Sequence, residues 1–189
     1  MKIKVLKFNT VKSTNNEAIK LIKKNFTKPT LITSINQTHG KGTMGKKWIS
    51  KKGNLFISIY FKINEKKIDI KKLTLFNACL IKKVLKKYSK YKIKIKLPND
   101  IYIKRKKVCG ILQEILTQKK KHYLVVGIGI NTLVNPKNNN FRSISLIECG
   151  YKKLKNQLIL RDIKHSYEKF LSDIVRSDLS LLIKNAYKK

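Results

Sequence analysis

The 189-residue sequence predicts an α+β domain: a mixed, largely antiparallel β-sheet with helices packed on one face. Strand patterns follow one another without intervening helices in the middle of the chain. Amphipathic helical patterns sit early, centrally and last instead of alternating with strands. With 42% apolar residues the chain can bury a proper core, and its length suits one domain.

Residues 3–8 alternate as a short strand. "STNNEAIKLIKKNF" then reads as a helix with Ala18, Leu21, Ile22 and Phe26 on one face, and Thr14 followed by Glu17 reads as its capping box. "TLITSINQ" and "NLFISIYFKI" are strands on either side of a glycine loop, with Gly53 and Asn54 as a turn inside a strand pattern running from Trp48 to Ile63. "KKLTLFNACLIKKVLKKYS" is an amphipathic helix, and "YKIKIKL" alternates like a half-buried strand. "DIYIK", "VCGILQEIL" and "HYLVVGIGIN" are three further strands joined by lysine-rich turns. From about residue 160 the pattern is helical, with Ile163, Tyr167, Phe170, Leu171 and Ile174 as the buried stripe. No repeat or Pro/Gly/Ser linker marks a domain boundary, and "NPKNNNFRS", residues 135–143, is the polar stretch long enough to be a mobile loop.

The net charge of +35 invites a nucleic-acid reading, because basic proteins gain affinity by releasing counterions from phosphates. Composition argues against it. Only Arg105, Arg142, Arg161 and Arg176 are arginines, whereas Lys, Ile and Asn, whose codons are A/T-rich, are abundant together. The lysines are spread along the whole chain as solvated faces, so specific DNA binding is not expected. Cys79, Cys109 and Cys149 are odd in number and widely spaced, with no CxxC pair, which fits reduced thiols in a cytoplasm. "MKIKVLKFN" is a strand pattern and not a signal peptide, and no apolar run approaches the roughly 18 residues of a membrane span.

"QTHGKGTMGKKW", residues Gln37 to Trp48, places three glycines and three lysines in twelve positions. Gly40, Gly42 and Gly45 satisfy G-x-G-x-x-G, and Gly40 to Lys46 satisfies G-x-x-x-x-G-K. Both patterns need a helix directly afterwards, whose N-terminal amides hold the phosphate. Here a strand pattern follows, and Lys47 stands where a P-loop needs Ser or Thr. What remains is a loop between strands whose amides can form an anion nest, with Lys41 and Lys46 supplying charge. The alternative is an ordinary hairpin connection, which seldom needs three glycines within six residues.

Other stretches add to this loop. Asn99 and Asp100 follow a proline-marked strand end, where their side chains can bind metal or nucleotide; they can equally shape a turn. Lys107 begins a strand carrying Gly110, where a ligand could lie against bare backbone. Gly127 and Gly129 repeat that device in "VVGIGIN", which ends on Asn131, or else pack closely against a helix. Ser13, Thr14 and Asn15 open the first helix and can serve as its cap.

In this order, "STN", "QTHGKGTMGKKW", "GNLFISI", "LPNDIYI", "KKVCGILQE" and "GIGIN" closely resemble the catalytic domain of biotin protein ligases, from about residue 8 to residue 134. The resemblance implies the mixed sheet already read, and an enzyme, a biotin–[acetyl-CoA-carboxylase] ligase. Such enzymes activate biotin with ATP and Mg2+ to biotinoyl-5′-adenylate and pass biotin to a lysine of a biotin carboxyl carrier domain, commonly that of acetyl-CoA carboxylase. By the same resemblance Ser13, Thr14, Asn15 and Gln37 bind the biotin ring system, while Gly40, Lys41, Gly42 and Lys46 enclose the carboxylate and α-phosphate. Trp48 is an aromatic wall, Gly110 and Ile111 line the biotin tail, and Lys107 neutralises the anionic centre where carboxylate attacks phosphorus. Lys46, Asn99, Asp100, Lys107 and Asn131 contact ATP, with Asp100 also the magnesium ligand, so Lys107 and Lys46 are the catalytic pair.

The family usually carries Arg where Lys41 and Lys46 stand, and an aromatic where Leu97 precedes the proline. A single catalytic domain over 1–189 is expected, with no N-terminal DNA-binding domain and no C-terminal β-barrel. Two rivals are a lipoate or octanoate ligase or transferase of the same superfamily, and a basic nucleic-acid-binding module. "GKGTMGKKW" with "LPNDIY" argues for biotin over lipoate. A nucleic-acid module would not account for three glycine sites and Asp100 in this order.

Overall fold

A computed structural model of the chain describes residues 1–63, 69–136, 142–151 and 154–176, with side chains to residue 173. The elements are β1 (Lys4–Val11), α1 (Thr14–Lys23), β2 (Thr30–Gln37), β3 (Leu55–Ile63), α2 (Ile70–Leu85), β4 (Ile93–Lys96), β5 (Asp100–Ile103), β6 (Lys106–Gln118), β7 (Lys121–Ile130) and α3 (Asn156–Arg176). The seven strands form one sheet in the order β1-β2-β3-β7-β6-β5-β4. The β1–β2 pair, bridged by α1, is parallel, and every other neighbouring pair is antiparallel. The mixed, largely antiparallel sheet is as the sequence predicts.

The helices do not all lie on one face. β3 explains why: "LFISIYFKI" is buried at every position except Lys62. An apolar run of this kind, without alternation, marks a strand covered on both sides. Ile57, Ile59 and Phe61 join Leu124, Val126 and Ile128 of β7 under Leu73, Phe76 and Ile81 of α2 and Ile163, Tyr167 and Phe170 of α3. Tyr60 instead joins Ile32, Tyr123 and Val125 under Ala18 and Ile22 of α1. Large, fully buried side chains such as these contribute roughly 1.5–3 kcal/mol each through burial.

α1 covers only part of its face, for a reason legible in β7. Tyr123, Val125, Gly127 and Gly129 share that face by strand alternation, so side-chain bulk falls from a phenol to nothing along the strand. The helix rests on the bulky end, and the glycine end is left as a floor. On β6 the same face carries Gly110 opposite Gly129, Leu112 opposite Gly127 and Glu114 opposite Val125.

Smaller differences from the sequence reading have local causes. α1 ends at Lys23, so Phe26 lies beyond it and is exposed, although its carbonyl accepts a 3.0 Å bond from the Tyr60 hydroxyl. α3 begins at Asn156, ahead of the expected start. Between Trp48 and Gly53 there is no strand, and β3 starts at Leu55. The expected loop at residues 135–143 falls partly, and the Ile174 side chain wholly, outside the described residues. Cys79, Cys109 and Cys149 are free thiols, and burial raises the pKa of each. Among the described residues no helix is long and apolar enough to cross a membrane.

Candidate active site

The glycine loop folds as a miniature hairpin laid over the bare floor. Lys41 bridges Lys47, Gly42 N–H donates to the Lys46 carbonyl (2.7 Å), and Trp48 N–H donates to the Gly40 carbonyl (2.9 Å). Met44 (φ 54°) and Gly45 (φ 72°) turn the tip through left-handed backbone, which suits glycine and strains Met44. Gly40 forms the neck, where a Cβ would lie 2.5 Å from the Trp48 carbonyl oxygen.

Trp48 lies flat on the floor. A Cβ on Gly129 would be 2.4 Å from its indole and one on Gly110 2.7 Å, so both positions must lack side chains. Gly127 does the same for α1, since a Cβ there would be 2.3 Å from Asn15 Oδ1. The cleft between loop, α1 and sheet spans about 450 Å3 of free space, part of it open to solvent.

Towards β3 its lining is neutral and hydrogen-bonded. Gln37 Oε1 accepts from Thr14 N–H (2.8 Å) and Thr14 Oγ1 (3.1 Å), while Gln37 Nε2 donates to Ser50 Oγ (3.0 Å). Ser58, wholly buried on β3, hydrogen-bonds Thr14 Oγ1 at 2.8 Å and Asn15 Oδ1 at 2.5 Å. The predicted capping box does not form. Ser13 is the N-cap without a side-chain bond, the Thr14 hydroxyl is taken by Gln37 and Ser58, and Glu17 pairs with Lys20. The hydroxyl and amide at this helix start therefore serve the cleft.

Towards β5 the lining is charged. Lys107 Nζ lies 2.8 Å from Asp100 Oδ1 and 5.4 Å from the centre of the Trp48 ring. Both partners of this pair are mostly buried, with side chains 13% and 23% exposed. A β-bulge between β5 and β6 sets the register of Lys107 opposite Tyr102. Asn99 ties the preceding turn down by donating to the Ile111 carbonyl (2.7 Å) and accepting from Ile111 N–H (3.0 Å) through its own carbonyl.

Of the residues predicted from sequence, Ser13, Thr14, Asn15, Gln37, Lys41, Gly42, Trp48, Asn99, Asp100, Lys107, Gly110 and Ile111 all line this cleft. Ile111 contributes only backbone, because its side chain points into the core under α2 and α3; Leu112, one residue on, faces the cleft. Lys46 does not line the cleft; it is exposed, and its backbone closes the hairpin turn. Asn131 sits behind Lys107, with Nδ2 reaching the Lys107 carbonyl at 3.5 Å and Oδ1 buried without a partner among the described residues. Ser58 and Glu114 were not singled out from sequence. A lone serine inside an apolar strand was the available signal for Ser58, since a buried hydroxyl requires a partner.

The sequence model of the biotin/lipoate A/B protein ligase family matches residues 7–131. The chain is 29% identical over 173 residues to the bifunctional ligase/repressor BirA of Bacillus subtilis, covering 87% of this chain and 53% of that protein. It is 31% identical over 143 residues to BirA of Escherichia coli, covering 71% and 44%. The chain thus spans about half the length of the curated relatives it matches. Its fold superposes on the biotin protein ligase of Aquifex aeolicus, solved with biotin and ATP, with a TM-score of 0.74, 28% identity and coverage of 89% of this chain and 70% of that one.

Proposed function

Because the chain belongs to the biotin/lipoate A/B protein ligase family, we propose that it is a biotin protein ligase. In this reading it activates biotin with ATP and attaches it to a lysine of a biotin carboxyl carrier domain, such as that of acetyl-CoA carboxylase. The observation that carries the reading is the change in polarity across one cleft. Thr14, Asn15, Gln37 and Ser58 offer neutral donors and acceptors at one side, the Trp48 ring resting on Gly110 and Gly129 offers an apolar wall between, and Lys107 offers a cation at the other, with Lys41 on the loop above. Biotin has the same sequence of parts: a neutral polar ring system, an apolar tail and a carboxylate.

The chemistry follows from that orientation. A carboxylate oxygen of biotin attacks the α-phosphorus of ATP, pyrophosphate leaves, and the mixed anhydride biotinoyl-5′-adenylate remains. The carrier lysine's amine then attacks the acyl carbon and AMP departs. Two anions must approach each other in the first step, so a fixed cation is the chief requirement. Lys107 meets it: Asp100 and the Trp48 ring face hold its ammonium in place before substrate arrives. Trp48 covers the floor and keeps water from the anhydride.

The residues present fit magnesium in a limited way. No cluster of three His, Cys, Asp or Glu side chains occurs among the described residues, so Asp100 would be a single carboxylate ligand, completed by phosphate oxygens and water. Bound there, the ion would offset charge on the departing pyrophosphate. Free thiols at Cys79, Cys109 and Cys149 fit work in the cytoplasm.

The deciding experiment incubates the purified chain with ATP, Mg2+ and either biotin or lipoate, and follows adenylate and pyrophosphate by mass spectrometry before a carrier domain is added. Biotinoyl-adenylate and a biotinylated carrier are expected. Adenylate from lipoate alone would move the assignment to the lipoate branch, and no adenylate from either would end it.

A further inference from the structure

We propose that Glu114 is a positioning residue that couples the cleft floor to the glycine loop, and that it gives up Lys41 to an anionic ligand by exchange; the ligand's identity as biotin rests on the function proposed above. Glu114 stands on β6 opposite Val125, on the face shared by the cleft and α1. Its two carboxylate oxygens have different tasks. Oε2 accepts from Asn15 Nδ2 at 2.6 Å, and Oε1 lies 3.7 Å from Lys41 Nζ at the start of the loop.

The first contact fixes the Asn15 amide. Asn15 Oδ1 meets the Ser58 hydroxyl and Asn15 Nδ2 meets Glu114, so the side chain has one sensible orientation. The second contact extends a continuous polar chain. It runs from Ser50, just after the loop, through Gln37, Thr14, Ser58, Asn15 and Glu114 to Lys41, at the loop's other end. The hairpin over the cleft is thereby tied at both feet to the floor beneath it.

The two ties differ in strength. The Asn15 bond is short and charge-assisted. The Lys41 pair is long, and both side chains are substantially in water, 43% and 30% exposed. Exposed pairs of this kind are weak and easily exchanged. An anion entering the cleft offers Lys41 a better partner, while the uncompensated Glu114 carboxylate repels that same anion. Glu114 therefore holds the loop cation in place without ligand and opposes the charged end of the ligand once it is bound.

Glu114→Gln separates the two tasks, because the amide oxygen still accepts from Asn15 while the charge on Lys41's partner is gone. Calorimetric titration with biotin and with neutral biotin methyl ester is the test, alongside chymotrypsin cleavage at Met44 or Trp48 in ligand-free protein. Glu114→Gln should bind biotin about two- to fivefold more tightly than wild type, as expected for loss of a weak exposed pair, with ester affinity unchanged. The unliganded loop should be cut faster. A residue that merely supports the fold would move both ligands together. Equal or weaker biotin binding, or the same change for biotin and ester, overturns the proposal. If wild type takes up no biotin, the proposed function fails instead, and loop cleavage alone decides: an unchanged rate removes Glu114 from this role. Should Glu114→Gln fold poorly, Lys41→Gln removes the same pair from the loop side and should show the same faster cleavage.

Discussion

Lys106 and Lys107 are adjacent and chemically identical, yet only Lys107 lines the cleft and touches Asp100 and Trp48. Lys107→Ala should therefore slow adenylate formation about a hundredfold, the usual cost of removing one preorganised contact to developing charge, on the order of 3 kcal/mol. Lys106→Ala should change it little. Supplied with synthetic biotinoyl-adenylate, the Lys107 variant should recover part of the transfer step, because the anhydride already exists; near-normal adenylate synthesis would return Lys107 to the surface. Gly129 makes a second residue-scale test. Its hydrogen is all that fits beneath the Trp48 indole, so Gly129→Ala must displace the ring. Trp48 is the chain's sole tryptophan, and its fluorescence should shift to the red as it enters water. Biotin affinity should fall roughly tenfold, in line with about 1–3 kcal/mol for overpacking. An unchanged emission spectrum would mean that Trp48 does not rest on the glycines.

At the scale of elements, the loop and the α2–α3 seam contrast. The loop is held by few backbone bonds, so biotin should protect residues 40–47 from protease, and identical cleavage with and without biotin would count against the loop as a cover. The seam carries a partly exposed polar cluster. Asp162 of α3 accepts from Lys87 Nζ (2.9 Å) and the Tyr88 hydroxyl (3.1 Å), just past the end of α2. The Lys87 hydrogen bond chiefly holds the Asp162 carboxyl below its usual range, and burial, then the Asp162 charge, push the Tyr88 phenol up to about 12. A depressed carboxyl stabilises the fold above its ordinary value of 3.8, and that contribution is lost as pH falls through the folded value. A raised phenol stabilises below its ordinary value of 10.0, and that contribution is lost as pH rises towards 12. Urea midpoints should therefore decline on both the acid and alkaline limbs. Asp162→Asn should flatten the acid limb and Tyr88→Phe the alkaline one; limbs unchanged in these variants would place the titrating groups elsewhere.

Across the whole molecule, the charge of +35 exceeds what one cleft for anions requires. Its physical effect is on encounter. An acidic carrier domain would be drawn in by the summed field, and salt weakens that attraction as the Debye length shortens to about 8 Å at physiological strength. Transfer to the carrier should thus lose rate with added salt much faster than adenylate formation does. Equal slopes for the two half-reactions would mean that the lysines do not steer.

The fold class and most of the cleft are determined by local pattern. Apolar periodicity places the strands and helices, except that the pattern from Trp48 to Gly53 forms no strand, and glycines at 110, 127 and 129 mark where side chains must be absent. Motif order further identifies Lys107, Asp100 and Gln37 as companions, although up to 116 residues separate members of the set that meets in the cleft, Ser13 and Gly129. What local pattern could not decide depends on partners distant in sequence. Thr14 looks like a helix cap until Gln37 and Ser58 take its hydroxyl. Strand alternation makes Leu112 and not Ile111 the cleft side chain, but which face is the cleft depends on where α1, α2 and α3 settle. Lys46 and Lys41 look equivalent in the loop, and only the hairpin's twist sends one outward and brings the other over Glu114. Periodicity reports how much of a residue is covered, whereas what covers it is set by sheet register and helix placement, which arise only when the whole chain has folded.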